Sequence, residues 1–289
     1  MAPTEPVRVL PLLAVAAAVV LITSCTAPDG GGASAPTAGV RAVQADPIEL
    51  VGMWRVVGAQ GEGPDTWLRL EAGTYQLWRD CGAFVEGGWQ AAGRAFVASD
   101  PYSALAACAV EGIPEVPWLR AAVAYESEGV GGWRLLDAAG DVVAGLRVDG
   151  APEPVPDAAE LYARAPEVTD EVRAALAGPV PLPDGLEPVT GQDLIGRWEP
   201  TRGSSTDPHV VFHDDGTWTG FDGCNGAGGS WAVDVDGRLL STAGPQTMIA
   251  CDGDAVPGDV ARAARAGMVD GRLVLVDPDG TEITRLARG

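Results

Sequence analysis

Between residues 210 and 286 apolar and polar positions alternate in short runs, and tight-turn residues interrupt them. Val210–His213 and Thr217–Phe221 flank Asp214, Asp215 and Gly216; residues 230–235 and 238–241 flank Asp236-Gly237; residues 272–276 and 281–286 flank Pro278, Asp279 and Gly280. A period of two broken by Asp-Gly turns predicts antiparallel hairpins. Between the second and third hairpins, the Ala- and Arg-rich stretch Asp259–Gly267 predicts a helix, with Pro117–Glu126 as its counterpart earlier in the chain. The expected fold class is α+β: two tandem small domains, each a mainly antiparallel β-sheet packed with one helix.

The tandem arrangement comes from self-similarity. Leu50, Gly52 and Trp54 match Leu194, Gly196 and Trp198; Gly73-Thr74-Tyr75 matches Gly216-Thr217-Trp218. Cys81, Trp89, Cys108 and Val116-Pro117 match Cys224, Trp231, Cys251 and Val256-Pro257, and Asp137…Gly140 matches Asp277…Gly280. The offset drifts only from 144 to 140 residues. These matches place one copy at 46–150 and the other at 190–289. The Pro- and acid-rich stretch 151–189 joins them and holds two helical patterns, Asp157–Arg164 and Val168–Ala177.

The N-terminus reads as an address. Arg8 precedes an apolar run, Val9–Thr23, of 15 residues. A membrane span needs about 20, whereas a signal-peptide core is shorter. The run ends Leu21, Ile22, Thr23, Ser24, Cys25, which resembles a lipobox. Cleavage there would remove residues 1–24 as a signal peptide. Lipid would then attach to the Cys25 thiol as a thioether, on the extracytoplasmic face of the cell membrane. Residues 25–45, rich in Gly, Pro and small side chains, read as a flexible tether. The 289 residues carry a formal net charge of -21, a poor match to nucleic acid or anionic lipid heads. All 19 basic residues are Arg, which removes lysine Schiff-base chemistry and the phosphate-loop lysine.

Of the five cysteines, one is the lipid site and four form two pairs. Cys81 to Cys108 and Cys224 to Cys251 share a separation of 27 residues. In an oxidising compartment equal spacing favours a disulfide within each copy. Each would close a loop contributing about 3–4 kcal/mol in the chain-entropy model. The alternative is a redox or metal-thiolate site, although neither pair has CxxC spacing.

The second copy carries Leu194-x-Gly196-x-Trp198, Asp215-Gly216-x-x-x-Gly220, Gly223-Cys224-Asn225 and Thr247…Ala250-Cys251 in order. It resembles the META domain, the family of HslJ-like, heat-inducible envelope proteins. The first copy resembles a divergent version, with Gly82 in place of Asn225 and Ala104 in place of Thr247. The resemblance implies an α+β fold and an envelope location. It implies no substrate.

Asn225, the chain's single Asn, and Thr247 are the candidate ligand or turn residues. His209 and His213, with Asp207 and Asp222 nearby in sequence, are weak metal candidates; no metal motif and no cofactor site is expected. The Asp pairs preceding Gly lack calcium-loop spacing and read as hairpin turns. Trp67, Trp78, Trp118 and Trp133 have no Trp counterpart in the second copy and, if exposed, would mark a contact surface. No catalytic constellation is visible. The expected function is a non-enzymatic envelope lipoprotein that binds or stabilises an envelope protein or ligand. The alternatives are an inhibitor-type module blocking an envelope enzyme, and an enzyme with a shallow site around His209 and His213.

Overall fold

The computed structural model describes residues 46–79, 83–105, 112–154, 160–202, 206–247, 249–250 and 253–289. The signal-like run, the tether up to residue 45, and Cys25, Cys81, Cys108 and Cys251 lie outside the described residues.

The first repeat is built from β1 (Gly52–Val57), β2 (Trp67–Glu71), β3 (Thr74–Arg79), β4 (Ala83–Ala92) and β5 (Ala95–Ala98). Then come β6 (Ser103–Leu105), the short helix α1 (Pro117–Ala121), β7 (Ala124–Ser127), β8 (Gly132–Leu136) and β9 (Val142–Arg147). The antiparallel order is β3-β2-β1-β9-β8-β7-β5-β4, and β4 pairs again with β3. Eight described strands thus close a barrel, with β6 added on β4.

The segment between the repeats contributes α2 (Asp170–Leu176), β10 (Glu187–Pro188) and α3 (Gly191–Leu194). The second repeat continues with β11 (Gly196–Pro200), β12 (His209–Phe212), β13 (Thr217–Phe221), β14 (Gly226–Val233) and β15 (Leu239–Ser241). It ends with α4 (Val256–Arg262), β16 (Arg265–Val269), β17 (Arg272–Val276) and β18 (Glu282–Arg288). These strands form a second sheet in the equivalent order, β16-β17-β18-β11-β12-β13-β14-β15, with β10 on the outer edge of β16. Its two ends meet where Arg238 bridges Arg265. There Leu239 N donates to Ala264 O and Ala266 N to Gly237 O, both at 2.9 Å. The first barrel closes at the matching place: Ala95 faces Ala124, Phe96 N donates to Val123 O and Tyr125 N to Arg94 O, both at 2.9 Å.

This closure overturns the α+β expectation, both as read from the pattern and as implied by the family resemblance. The chain is mostly β, 42% strand and 14% helix, with a closed barrel and a second sheet in place of two small sheet-plus-helix domains. Each of the two stretches expected to be a domain's helix divides in two. Asp259–Gly267 ends α4 and begins β16; Pro117–Glu126 becomes α1 followed by β7. Alanine and arginine favour a helix locally. Here the C-terminal half instead supplies a ladder partner to the exposed edge of β17 or β8, whose backbone groups would otherwise go unpaired.

The interiors repeat the same pattern of aromatic side chains bonded to backbone carbonyls. The Trp54 indole donates to Leu50 O at 2.8 Å and the Trp198 indole to Leu194 O at 2.7 Å. Trp89 donates to Thr74 O at 3.1 Å, and Trp231 to Thr217 O at 2.8 Å. Tyr75 Oη donates to Ser99 O and Trp218 Nε1 to Thr242 O, each at 3.0 Å. Burying such a ring is worth on the order of 3–5 kcal/mol against alanine, and the backbone acceptor satisfies its polar end.

The connecting residues are built into the fold. Val172 of α2 packs into the first barrel's core, the Tyr162 ring lies 5.5 Å from Phe84, and Val189 enters the second barrel's core. The helical pattern Val168–Ala177 is α2; of Asp157–Arg164, the described part holds a 3-10 turn, Glu160–Ala163. The two barrels meet through equivalent hairpins, β4–β5 and β14–β15. A small apolar cluster of Ala92, Val97 and Leu240 forms there, and Ser230 Oγ donates to Ala98 O at 2.7 Å.

Candidate functional site

The turn from β13 into β14 carries the cluster that the sequence singles out. Gly223 takes a φ of 104°, in the left-handed region that glycine adopts freely. Asp222 Oδ1 accepts from Cys224 N at 2.7 Å and Asn225 N at 2.6 Å, while Oδ2 accepts from Asn225 Nδ2 at 3.0 Å. Burial pushes the Asp222 carboxyl upward, but these hydrogen bonds outweigh it and hold the group below the ordinary carboxylate range.

Asn225 reaches across to the segment before α4. Its Nδ2 donates to Ile249 O at 2.8 Å, and its Oδ1 accepts from Ile249 N at 2.5 Å. Thr247 Oγ1 accepts from Gly226 N at 3.2 Å. Both ends of the Asn225 amide are therefore engaged within the protein, pairing with Ile249 as a backbone peptide would. Asp222, Asn225, Thr247, Ile249, Pro257 and Gly258 line a shallow cavity of about 380 Å³ beside this brace.

The same rim of the first barrel is filled. There the residue after Val-Pro is Trp118, where the second copy has Gly258. Trp118 Nε1 donates to Glu62 Oε1 at 2.6 Å. Glu62 also takes Arg79 Nη2 at 2.7 Å and Nε at 2.9 Å. Glu62 and Arg79 were not singled out by sequence; the contrast of Trp118 with Gly258 was the available signal. Ala104, which replaces Thr247, lies in β6 opposite Val85, and Gly82 lies outside the described residues.

The structure does not gather the two histidines and the two aspartates into one site, although His209 Nδ1 lies 3.8 Å from the Asp207 carboxylate. Four strand residues put His209 and His213 about 13 Å apart. His209 Nδ1 lies 2.8 Å from Asp207 O, and His213 Nε2 lies 3.0 Å from Thr219 Oγ1. The Asp207 carboxylate pairs with Arg197 at 2.5 Å, and Asp222 faces Asn225. Among the described residues no group of three His, Cys, Asp or Glu side chains could share a metal ion. The Asp pairs before Gly act in turns: Asp277 Oδ1 accepts from Asp279 N at 3.0 Å and Thr281 N at 2.8 Å, and Asp137 binds Ala139 N and Asp141 N the same way at 2.9 Å.

Trp67, Trp78, Trp118 and Trp133 are all buried, at most 5% exposed, so they form no exposed aromatic patch. Trp78 packs edge-on against Phe84, ring centres 5.0 Å apart. Cys224 is disulfide-bonded, and the other four cysteines lie outside the described residues. Among the described residues no helix is long and apolar enough to cross a membrane. No family model, characterised protein or solved structure matches this chain.

Proposed function

We propose that the chain is a non-enzymatic cell-envelope lipoprotein, anchored through Cys25 on the extracytoplasmic face, whose tandem META-like repeats bind or stabilise an envelope component. The observation that carries this reading is the use of the polar side chains at the barrel rim. Asp222, Asn225 and Thr247 are engaged with backbone groups of the same rim and stiffen it, so they brace a surface and leave no poised acid, base or nucleophile among them. The lipobox-like end of the apolar run at Cys25 supports the location. The formal charge of -21 favours a neutral or basic partner over nucleic acid.

Fractionation and crosslinking of intact cells test the reading together. The wild-type chain is expected in the membrane fraction, crosslinked to one recurrent envelope component. Cys25→Ser is expected to leave the chain unprocessed or to release it, and to lose that crosslink. A processed Cys25→Ser chain that still fractionates with membranes overturns the anchor. A purified chain that turns over a substrate, with loss of turnover in His209→Ala or His213→Ala, overturns the non-enzymatic reading.

A further inference from the structure

In this protein of 40 acidic side chains and 19 arginines, most of the described arginines pair with a carboxylate, and a minority do not. Three such arginines meet where α2 runs onto the second barrel. Arg265 donates only to backbone carbonyls, to Asp236 O at 2.7 Å, Pro179 O at 3.4 Å and Val180 O. Arg173 of α2 and Arg238 at the start of β15 line one cavity of about 490 Å³. Among the described residues none accepts a hydrogen bond from the Arg238 guanidinium.

Arg238 also borders a second, adjoining cavity of about 310 Å³ between the barrels and α2. Its walls are largely apolar, among them Trp89, Ala91, Ala174, Leu239 and Ala263. The other polar side chains there are Gln90, whose amide is engaged by Ser241, and Arg262, which pairs with Asp259 at 2.6 Å. Arg238 is half-buried and packs against Gly178, where an added Cβ would lie 3.5 Å from Nη1. Burial holds its guanidinium below the ordinary range; Asp234 works against that shift and Arg265 adds to it. Asp46 lines the larger cavity but caps a 3-10 turn, accepting from Ile48 N at 3.1 Å. A guanidinium keeps its charge and five donors wherever it sits. Half-buried beside a second cation, with no acceptor, it is stabilised by an incoming anion.

We propose that this slot binds a small organic anion with an apolar body, a medium-chain monocarboxylate, whose head group Arg238 and Arg173 hold while the alanine-lined wall takes the chain. The site goes beyond the envelope reading and is tested on isolated protein, so failure of the anchor and failure of the slot are separate results.

The probe is octanoate, titrated into the full chain by calorimetry. Octanol serves as the chain without the charge, and acetate as the charge without the chain. Saturable octanoate binding is expected, with octanol and acetate each at least tenfold weaker. Arg238→Gln is expected to weaken octanoate at least tenfold. Ala174→Phe, an exposed position of α2 that fills the slot, is expected to do the same without loss of the thermal transition. Should Arg238→Gln fail to fold, Arg238→Lys, which keeps the charge, is expected to bind while Ala174→Phe does not. Octanoate binding unchanged in Arg238→Gln or in Ala174→Phe, or no saturable binding to the wild-type chain, overturns the proposal.

Discussion

Gln90 and Ser241, 151 positions apart, exchange two hydrogen bonds across the junction of the barrels. Gln90 Nε2 donates to Ser241 O at 2.7 Å, and Ser241 N donates to Gln90 Oε1 at 3.2 Å. One side-chain amide thus reproduces a strand partner at Ser241, where the edge of β15 runs past its contact with Ala264 and would otherwise be open to a foreign strand. Gln90→Ala removes both bonds and leaves two partly buried backbone groups unpaired. We expect it to destabilise the full chain by about 1–3 kcal/mol in urea unfolding with little change in slope. A loss below about 0.5 kcal/mol would mean that the junction contributes little.

The junction is small beside the interiors it joins. Each repeat has its own buried core around Trp54 and Trp89 or Trp198 and Trp231, whereas Ala92, Val97 and Leu240 form the cluster between them. Residues 190–289, expressed alone in an oxidising compartment, should therefore unfold cooperatively, though below the stability of the full chain. A collapsed, dye-binding product without a cooperative transition would show that the two repeats depend on one another to fold.

Gly229 is fixed by contact. A Cβ there would lie 1.8 Å from Thr242 O and 2.9 Å from the Trp218 indole nitrogen. Its counterpart Gly87 faces the Tyr75 ring at 2.5 Å. Gly229→Ala forces β14 away from β15, and we expect a loss above about 3 kcal/mol or failure to fold. Gly226→Ala, on the same strand with open space around it, is expected to fold normally. Equal melting temperatures for the two variants would contradict this account of the strand crossing.

The brace at Asp222 carries a pH signature. Hydrogen bonds hold its carboxyl, and those of Asp193 and Asp215, below the ordinary range. A carboxylate depressed in the folded state stabilises the protein above its unfolded pKa of about 4, and that contribution disappears as pH falls through the folded value. Stability should decline below about pH 4, and Asp222→Asn should shallow that decline in an acid titration followed by tryptophan fluorescence. An identical acid limb in the variant would mean that the carboxylate is not bonded as seen.

Much of the barrel is legible in the alternation of the second copy. The hairpins at 210–221, 230–241 and 272–286 correspond to β12–β13, β14–β15 and β17–β18 within a few residues, because turn chemistry and period-two burial are local. The strands that close the sheet are not local. β16 begins Arg-Ala-Gly and β11 reads Gly-Arg-Trp-Glu-Pro, runs in which residues depleted in strands outnumber those enriched in them. Each is a strand because partners on other elements take its backbone groups: β17 and β10 for β16, β18 and β12 for β11. At the rim, the single Asn marked the turn, but its bonding to Ile249 spans 24 positions and has no signature in spacing. Gln90 and Arg238 were invisible for the same reason. Their roles arise at the junction of two barrels and a connecting helix.

The duplicated architecture and the proposed oxidising compartment and lipid anchor all bear on the cysteines. A non-reducing peptide map of the protein taken from the membrane fraction reads all five at once. The account predicts an N-terminal Cys25 peptide carrying lipid, with no peptide from residues 1–24, together with Cys81–Cys108 and Cys224–Cys251 disulfide peptides. An unmodified Cys25 inside an intact N-terminal peptide, or Cys81–Cys224 or Cys108–Cys251 as the main species, would contradict it.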